Sequence, residues 1–291
     1  MLTYTYFADP QLADGDPLQP RCGPKEGFTQ MTVRGRSFVE VGFGLAKCVF
    51  NSTYRTNATV LDANTMVCDT PPLETVSGDL WYNVSVTLDG DFVANASAKF
   101  WYYDNPTISS IWPWLGPQSG ETESVVRGTG FDQSTICDLK VRYGRTHLVP
   151  KAVRAAEVVV ASPPVGRPGA VVVSVSGNNQ QFIDDRTLHF RDVENTFEYY
   201  QLFYVQQVAP ESLSNAGNSP LKLTGMLFDQ FKWDNGTERR VPIQCRFVDA
   251  GGTVLGTPRN MTRVSDTQQI CRAPATSYTG ETKVELSLNG Q

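Results

Sequence analysis

The sequence predicts an all-β protein built as a tandem array of like domains. Valine, threonine and aromatic residues dominate its periodic stretches, and glycine and proline separate them, which is typical of strands joined by turns. No window carries an apolar stripe with the period of a helix, so we expect helices to be absent or limited to single turns. A fixed order of signals recurs about every 95 residues, and a period of this kind indicates repeated domains.

Each repeat shows the same signals in the same order. A Gly/Pro-rich segment leads into a strand-like run that ends in Gly-x-x-Phe, at residues 33–38, 126–131 and 223–228. A proline-marked turn follows, and then an alternating strand ends in glycine, at residues 84–90, 173–177 and 284–290. Three copies fit the 291 residues, because sandwich domains contain roughly 100 residues each.

This order of motifs resembles that of IPT/TIG repeats over nearly the whole chain. In repeat one the motifs are a Gly-Pro entry, Cys-x-Phe, Cys-x-x-Pro-Pro and Val-x-Val-x-Leu-x-Gly, at residues 23–24, 48–50, 68–72 and 84–90. The resemblance implies tandem immunoglobulin-like β-sandwiches in an elongated array. Such repeats occur in ectodomains of plexins and scatter-factor-type receptors, fibrocystin-like ciliary proteins and algal gamete adhesins. They also occur in Rel-type transcription factors and as accessory modules of polysaccharide-cleaving enzymes.

The repeats set the expected domain boundaries, which are residues 11–104, 105–200 and 201–291 for repeats one, two and three. Repeat three stops before its own closing strand. Residues 4–10 resemble residues 100–106, which close repeat one, so we interpret residues 1–10 as the closing strand of a preceding repeat and a linker. A fragment of a longer array explains these ends; alternatively, the N-terminal strand completes repeat three of a neighbouring chain by strand donation. Short proline-containing linkers predict a semi-rigid stalk.

Composition argues against nucleic acid and membrane spans. The formal net charge is -5 and 19% of residues are charged, which gives no basic footprint for nucleic acid and argues against the Rel-type function. No stretch approaches the roughly 18 apolar residues of a membrane span. Residues 1–7 have neither the basic start nor the apolar core of a signal peptide.

Four of the six cysteines occupy corresponding positions in two repeats. Cys48 and Cys68 flank one segment of repeat one, and Cys245 and Cys271 flank the same segment of repeat three. This correspondence predicts two disulfides within domains, each stabilising its repeat by roughly 3 kcal/mol. The family resemblance implies that they bridge neighbouring strands.

Repeat two lacks this pair, and Val141 and Val160 stand about where its thiols would be. Cys22 and Cys137 remain unassigned. They pair with each other across the domain junction, pair with parts of a longer chain, or are free, and spacing alone does not choose between these alternatives.

Glycosylation sequons exceed the number expected by chance. Their asparagines are Asn51, Asn57, Asn83, Asn95, Asn235 and Asn260. Asn83 precedes a strand whose valines alternate, so its side chain is expected to face solvent. Paired cysteines and sequons together favour an oxidising, extracellular compartment with N-linked glycans.

Repeat two carries no sequon, and it is rich in basic residues. These are Lys140, Arg142, Arg145, Lys151, Arg154 and Arg167, against a single acid, Glu157. A bare basic sheet face is a candidate for binding an acidic protein surface or a sulfated glycan. The alternative is an ordinary solvated strand face.

Trp112 and Trp114 flank Pro113 at the entry of repeat two. One of them is expected to pack between repeats one and two, and the other to be an exposed anchor for a partner, because tryptophan is enriched in interface hot spots.

The sequence shows no constellation typical of an enzyme. The two histidines, His147 and His189, lie in separate strand-like segments, and no nucleophile elbow or phosphate loop is present. Cysteine and histidine spacing does not fit zinc. Asp9 and Asp104 precede prolines at equivalent junctions, where turn chemistry explains them better than calcium. We therefore expect no catalysis and no cofactor.

These observations predict an extracellular segment of a cell-surface adhesion or recognition protein. It would bind a protein partner, on an opposing cell or a neighbouring chain, through faces of its sandwiches. One alternative is a structural spacer of a ciliary or cell-wall surface filament, and a second is an accessory carbohydrate-binding module. The gamete or ciliary surface would suit the first two interpretations.

Overall fold

A computed structural model describes residues 6–73, 80–95, 97–132, 137–182, 195–228 and 243–291. In these residues all regular structure consists of strands and turns, with no α-helix. The predicted all-β class is confirmed, and the sheets form tandem immunoglobulin-like sandwiches. His189, Asn235 and residues 1–5 lie outside the described residues. Residues 6–10, the rest of the expected closing strand and linker, form no strand.

Repeat one forms a sandwich of nine strands. They are β1 (Gln11–Leu12), β2 (Leu18–Gln19), β3 (Cys22–Pro24), β4 (Gln30–Arg36), β5 (Lys47–Phe50), β6 (Tyr54–Asp62), β7 (Thr65–Asp69), β8 (Leu80–Thr87) and β9 (Ala98–Tyr103). Their order is β1-β4-β7-β6-β5-β8-β9-β3, and β2 also pairs with β4.

Strand β6 carries the chain from one layer of this sandwich to the other. Residues 54–57 pair with β5, and residues 58–62 pair with β7. A register shift between Val60 and Asp62 accompanies the second pairing, and such irregularities bend a strand. The result is two layers, with β4 and β7 in one and β5, β8 and β9 in the other.

Repeat two contributes two sheets. Its strands are β10 (Thr107–Trp112), β11 (Leu115–Pro117), β12 (Glu123–Thr129), β13 (Lys140–Tyr143), β14 (Thr146–Leu148), β15 (Ala152–Arg154), β16 (Glu157–Ala161), β17 (Gly169–Ser176) and β18 (Thr196–Tyr200). The four-stranded sheet has the order β10-β12-β16-β15, and the five-stranded sheet has the order β11-β18-β17-β13-β14.

Repeat three also contributes two sheets. Its strands are β19 (Tyr204–Ala209), β20 (Pro220–Met226), β21 (Gln244–Asp249), β22 (Val254–Asn260), β23 (Thr262–Ser265), β24 (Gln268–Arg272) and β25 (Thr282–Ser287). The sheet orders are β19-β20-β24-β23 and β22-β21-β25.

The chain divides into two compact units. The first comprises residues 1–110, 126–160 and 172–195, and the second comprises residues 111–125, 161–171 and 196–291. The first unit has a core centred on the fully buried Phe50, Phe100 and Tyr102. The second unit has its own core, in which Leu223 and Cys271 are buried.

Close packing explains the Gly-x-x-Phe motif. A Cβ atom at Gly35 would overlap both the carbonyl oxygen of Gln11 on the paired strand and the ring of Phe38. The glycines at 128 and 225 face the same two obstacles, the carbonyl oxygens of residues 107 and 204 and the rings of residues 131 and 228. The motif therefore marks a position at which the neighbouring strand and a buried phenylalanine leave no room for a side chain.

The Gly-Pro entry of each of the first two repeats is a short parallel strand on the closing strand. β3 pairs with β9 and β11 pairs with β18 in the same register, glycine opposite tyrosine in both. That tyrosine ties the closing strand to the proline-marked turn. The hydroxyl of Tyr102 donates to the carbonyl oxygen of Pro71 at 3.3 Å, and the hydroxyl of Tyr199 donates to that of Pro163 at 2.8 Å.

Candidate functional site

All six cysteines of the chain are paired in disulfides. Cys48 of β5 is bonded to Cys68 of β7, and Cys245 of β21 is bonded to Cys271 of β24. β5 and β7 lie on either side of β6, and β21 and β24 belong to different sheets. These bonds therefore link the two layers of a sandwich, whereas the family resemblance implied bridges between neighbouring strands.

Repeat two carries buried valines where the other repeats have a disulfide. Val141 of β13 lies opposite Val175 in β17, as Cys48 of β5 lies opposite Val86 in β8. Val141 and Val160 are both buried. Apolar packing thus occupies the positions that a cross-link occupies elsewhere in the chain.

The third disulfide joins residues of two repeats within the first unit. Cys22 is bonded to Cys137, which lies 115 residues later in the chain. Both cysteines are buried in a cluster with Trp101 and Tyr103. Burial, aided by the charge of Glu26, raises the pKa of Tyr103 well above its usual range. Of the alternatives left open by the sequence, the structure shows the pairing across repeats.

The basic residues predicted to form one face lie on two different sheets. Lys140 and Arg142 are two residues apart on β13 and point to the same side of the five-stranded sheet. Arg145 is exposed in the turn between β13 and β14. Arg154 lies on β15, in the four-stranded sheet, because the chain changes sheets after β14. The prediction of a single basic face is therefore wrong.

Acids neutralise part of this charge. The Lys140 Nζ atom lies 2.6 Å from Asp138 Oδ1, an acid that the sequence interpretation did not count. Glu157 is paired with Arg127 at 3.0 Å and with Arg154 at 3.6 Å. These pairs are at the surface, where each contributes little to stability but reduces the local positive field.

Arg142 belongs to a cluster of cationic and aromatic side chains. Its guanidinium lies 4.5 Å from the ring centroid of Phe182, and its Nε donates to Ser174 Oγ at 3.1 Å. His147, opposite Arg142 in the β13–β14 pair, lies 4.5 Å from the same ring, and its Nδ1 is 3.0 Å from Asn179 Oδ1. We call Arg142, Arg145, His147 and Phe182 the β13–β14 cluster. The cation–π contact with Phe182 and the bond to Ser174 hold Arg142 in one orientation.

The two tryptophans at the entry of repeat two have different surroundings. Trp112 is 63% exposed at the end of β10. Trp114 is partly buried and packs against the core of the second unit, which contains Leu221 and Phe228 of repeat three. One tryptophan was expected to pack between repeats one and two, but Trp114 packs on the side of repeat three.

Sequence analysis missed a pair of loops that follow the alternating strands β17 and β25. We call residues 176–181 and 287–291 the repeat-end loops. In the first unit, Asn178 Nδ2 donates to Thr29 Oγ1 at 3.1 Å and lies 3.5 Å from the carbonyl oxygen of Cys22. Gln180 makes two bonds to the backbone of Gln30: its Nε2 donates to the carbonyl oxygen, and its Oε1 accepts from the N–H, both at 2.9 Å.

The second unit repeats these contacts. Asn289 Nδ2 donates to the carbonyl oxygen of Leu115 and to Thr122 Oγ1, both at 3.2 Å. Gln291 donates to the carbonyl oxygen of Glu123 at 2.8 Å and accepts from its N–H at 3.1 Å. The shared pattern Ser-x-Asn-x-Gln was visible in the sequence and could have identified both loops. Each loop fixes the start of the preceding repeat by side-chain bonds to backbone groups and to a threonine hydroxyl.

Repeat one has the same turn with different chemistry. Asp89 Oδ1 accepts hydrogen bonds from the N–H groups of Asp91 and Phe92 and from the Thr87 hydroxyl, as Asn178 Oδ1 does within its own loop. The backbone donors, that of Phe92 first, hold the pKa of Asp89 below its usual range. A carboxylate here has no N–H to donate, so this loop cannot make the bonds that Asn178 makes.

Replacing Asn178 by aspartate tests the repeat-end loops. Asn178→Asp places an acceptor against the carbonyl oxygen of Cys22, so we expect the free energy of unfolding to fall by about 1–3 kcal/mol. Asn179→Asp is the matched control, since Asn179 is exposed and aspartate keeps the Oδ1 atom that contacts His147, and its effect should stay within about 0.5 kcal/mol. Urea unfolding measures both. Equal effects of the two variants would show that the added charge, and not the lost donor, is responsible.

The asparagines of the described sequons are exposed. They are Asn51, Asn57, Asn83, Asn95 and Asn260. Asn51 and Asn83 are neighbours, because the N–H of Asn83 donates to Asn51 Oδ1 at 2.8 Å. Each described sequon can carry a glycan on the surface of its sandwich.

The described parts of the chain hold neither a metal-binding cluster nor a membrane helix. No group of three or more His, Cys, Asp or Glu side chains there could hold a metal ion. Nor does that part of the chain include a helix with the length and apolarity of a membrane span.

Comparison with known proteins gives consistent results. The model of the IPT/TIG domain matches residues 16–102 and 106–190. Plexin-A4 of Mus musculus is 28% identical over 305 residues, and Plexin-A2 of Homo sapiens is 26% identical over 301 residues; both alignments cover 98% of this chain and 14% of the plexin. The chain thus spans only a small part of these curated relatives.

Two solved structures resemble the chain. The full extracellular region of plexin A4 is 18% identical with a TM-score of 0.46, over 94% of this chain and 21% of that one. Invasin, a bacterial integrin-binding protein, is 13% identical with a TM-score of 0.29, over 94% of this chain and 55% of that one.

The IPT/TIG domain is a non-catalytic domain type. Its two matches cover more than half of the 291 residues. The order of motifs, the two-layered sheets and the domain matches agree, and this chain belongs to the IPT/TIG domain family.

Proposed function

We propose that this chain is an extracellular segment of a plexin-like cell-surface receptor, and that it binds a protein partner through repeat two. The main support for an extracellular location is that all six cysteines are paired in disulfides. Stable disulfides form in oxidising environments and are rare in the cytosol. The exposed sequon asparagines and the likeness to Plexin-A4 over 98% of the chain support the same compartment.

The proposed domains keep the boundaries expected from the repeats, residues 11–104, 105–200 and 201–291. Residues 1–10 are proposed as the end of a preceding repeat and a linker. The repeat-end loops support a division of this kind, because each side-chain contact runs from one proposed domain to the entry of the one before it.

The proposed contact surface is the β13–β14 cluster with Lys140. Repeat two has no sequon, so it carries no N-linked glycan of its own that could shield this surface. Arg142 and His147 both contact the ring of Phe182, and Arg145 is exposed in the turn that joins their strands. An ordered arginine next to an aromatic ring is the kind of residue pair found in interface hot spots. The partner best suited to it is a protein with an acidic surface.

Charge reversal tests this surface. The full chain is used to stain an array of cell-surface ectodomains, and binding is then measured for Arg142→Glu/Arg145→Glu and for Arg145→Glu alone. We expect the double variant to lower affinity by roughly ten-fold or more, with a smaller loss for the single variant. Arg154→Glu is the matched control, because Arg154 lies on the other sheet, and it should keep full binding.

Each alternative predicts a different result. Equal losses for Arg154→Glu and Arg142→Glu/Arg145→Glu would show a general charge effect and would contradict the proposed surface. Concentration-dependent self-assembly without partner binding would favour a structural spacer. Binding to a sulfated or neutral polysaccharide, with no ectodomain bound, would favour a carbohydrate-binding module.

A further inference from the structure

An exposed tryptophan lies on the outer face of repeat one. Trp81 of β8 is 49% exposed. Its indole stacks on Trp101, with ring centroids 6.3 Å apart and planes inclined by 30°. Trp101 is almost completely buried and contacts Tyr103 in turn. The inner face of Trp81 is therefore fixed by packing, and much of the indole remains open to solvent.

A sequon asparagine lies two residues farther along the same strand. Successive side chains of a strand point to opposite faces, so Trp81 and Asn83 share one face while Val84 faces the core. Two residues of strand separate side chains by only about 7 Å. Asn83 is exposed and is followed by Val84 and Ser85, which complete the sequon.

The space beside Trp81 is open and is bordered in part by polar side chains. A groove of about 510 Å³ is lined by Trp81 and by Lys99, the residue opposite Asn83 in the β8–β9 pair. Asp14 and Arg21 also line it and carry groups that can bond sugar hydroxyls.

We propose that Asn83 carries an N-linked glycan whose first N-acetylglucosamine packs on the open face of Trp81. A sugar ring of this kind has an apolar face of C–H groups, and an exposed indole offers it a flat apolar surface. The glycan is tethered within reach, so its local concentration at Trp81 exceeds that of any free ligand. Stacking on Trp101 has already ordered the indole, which reduces the entropy lost on contact.

This packing has a consequence for recognition. When the Asn83 glycan packs on Trp81, it covers the largest exposed aromatic group of β8 and prevents its contact with protein partners. The outer face of β8 and β9 would then be closed, and the β13–β14 cluster of the sequon-free repeat two would remain accessible.

A double-mutant cycle on the full chain, secreted from a glycosylating host, tests the inference. Unfolding in urea is measured for the parent, Asn83→Gln, Trp81→Ala and the double variant. Loss of the glycan should raise the unfolding equilibrium constant roughly three- to ten-fold when Trp81 is present, and less than about two-fold in Trp81→Ala. Enzymatic trimming to a single N-acetylglucosamine should preserve the parent's value, because only the first sugar touches the indole.

Asn57→Gln is the matched control. Asn57 is an exposed sequon asparagine on a strand, but the residue two positions before it is Arg55, so its glycan should show no coupling to Trp81. If Trp81→Ala proves too unstable for the cycle, the N-acetyl methyl proton of the trimmed glycan gives an independent measurement. An upfield ring-current shift in the parent supports the contact, and a shift equal to that of the Asn57 sugar overturns it.

The inference rests on the proposed extracellular location. Glycan mapping distinguishes failure of the packing proposal from failure of the proposed function. If other sequons are occupied and Asn83 is not, the packing proposal fails and the proposed function stands. If no sequon is occupied in the native protein, both fail. Equal effects of glycan loss with and without Trp81 overturn the packing proposal alone.

Discussion

Replacing Cys48 and Cys68 together by alanine should lower the free energy of unfolding of the first sandwich by about 3 kcal/mol. The bond closes a segment of the chain with a sequence separation of 20 residues, and it joins β5 to β7 across the two layers. Breaking it frees the unfolded chain. It also leaves a void in a core where both cysteines are buried. Urea unfolding and amide hydrogen exchange of β5, β7 and β8 would measure the loss.

Valine provides a control that the chain itself suggests. Repeat two has Val141 and Val160 in the places of the disulfide, so Cys48→Val/Cys68→Val should fill more of the void than alanine does and recover part of the lost stability. The difference in the free energy of unfolding between the valine and alanine variants measures the contribution of packing. The difference between the parent and the valine variant measures the contribution of the cross-link. Hydrogen exchange in β21 and β25 should not change. A simultaneous loss of protection in repeat three would contradict the view that each sandwich has its own core.

The fold was predictable because repetition amplifies weak local signals. A single Gly-x-x-Phe is a common sequence, but three copies in fixed order with proline turns and alternating strands indicate one domain type used three times. The structure supplies the reason for the motif, since Gly35 and its counterparts meet a neighbouring carbonyl oxygen and a buried ring. Local sequence therefore carried information about a tertiary contact.

Contacts between residues far apart in sequence were not predictable in the same way. The pairing of Cys22 with Cys137 spans 115 residues, and nothing in the spacing selects it. The basic residues of repeat two were grouped because they are close in sequence, but Arg154 follows the point at which the chain changes sheets. Strand alternation gives the face of a residue within one sheet, and it does not give the sheet to which the next strand is added.

The repeat-end loops show a different limit. Their pattern was present in the sequence, yet Asn178 and Asn289 lie among the polar residues that end most strands, where turn chemistry explains them equally well. Only the distances to Thr29 and Thr122 show that these asparagines also contact another repeat. The role of a recurring polar motif can be assigned only when the residues that it contacts are known.

Gly128→Ala should cause a loss of similar size, roughly 3 kcal/mol, by a different mechanism. Its Cβ would overlap the carbonyl oxygen of Thr107 and approach the ring of Phe131 to 2.7 Å. The ring can move, but the carbonyl belongs to the backbone of a neighbouring strand, so relief requires displacing that strand. Urea unfolding measures the change.

Gly166→Ala is the control, since no atom beyond its two chain neighbours lies within 4 Å of the position that a Cβ would take, and its effect should stay within about 0.5 kcal/mol. The pair Phe131→Leu and Gly128→Ala/Phe131→Leu separates the two obstacles, because Phe131 is buried and its own replacement costs stability. If alanine at 128 costs as much in the Phe131→Leu background as in the parent, the carbonyl oxygen is the dominant obstacle and the glycine is required by strand pairing. If the cost falls in that background, the motif is chiefly a packing pair, and a smaller residue at position 131 would permit alanine at 128. An unchanged stability of Gly128→Ala itself would contradict the close approach of these strands.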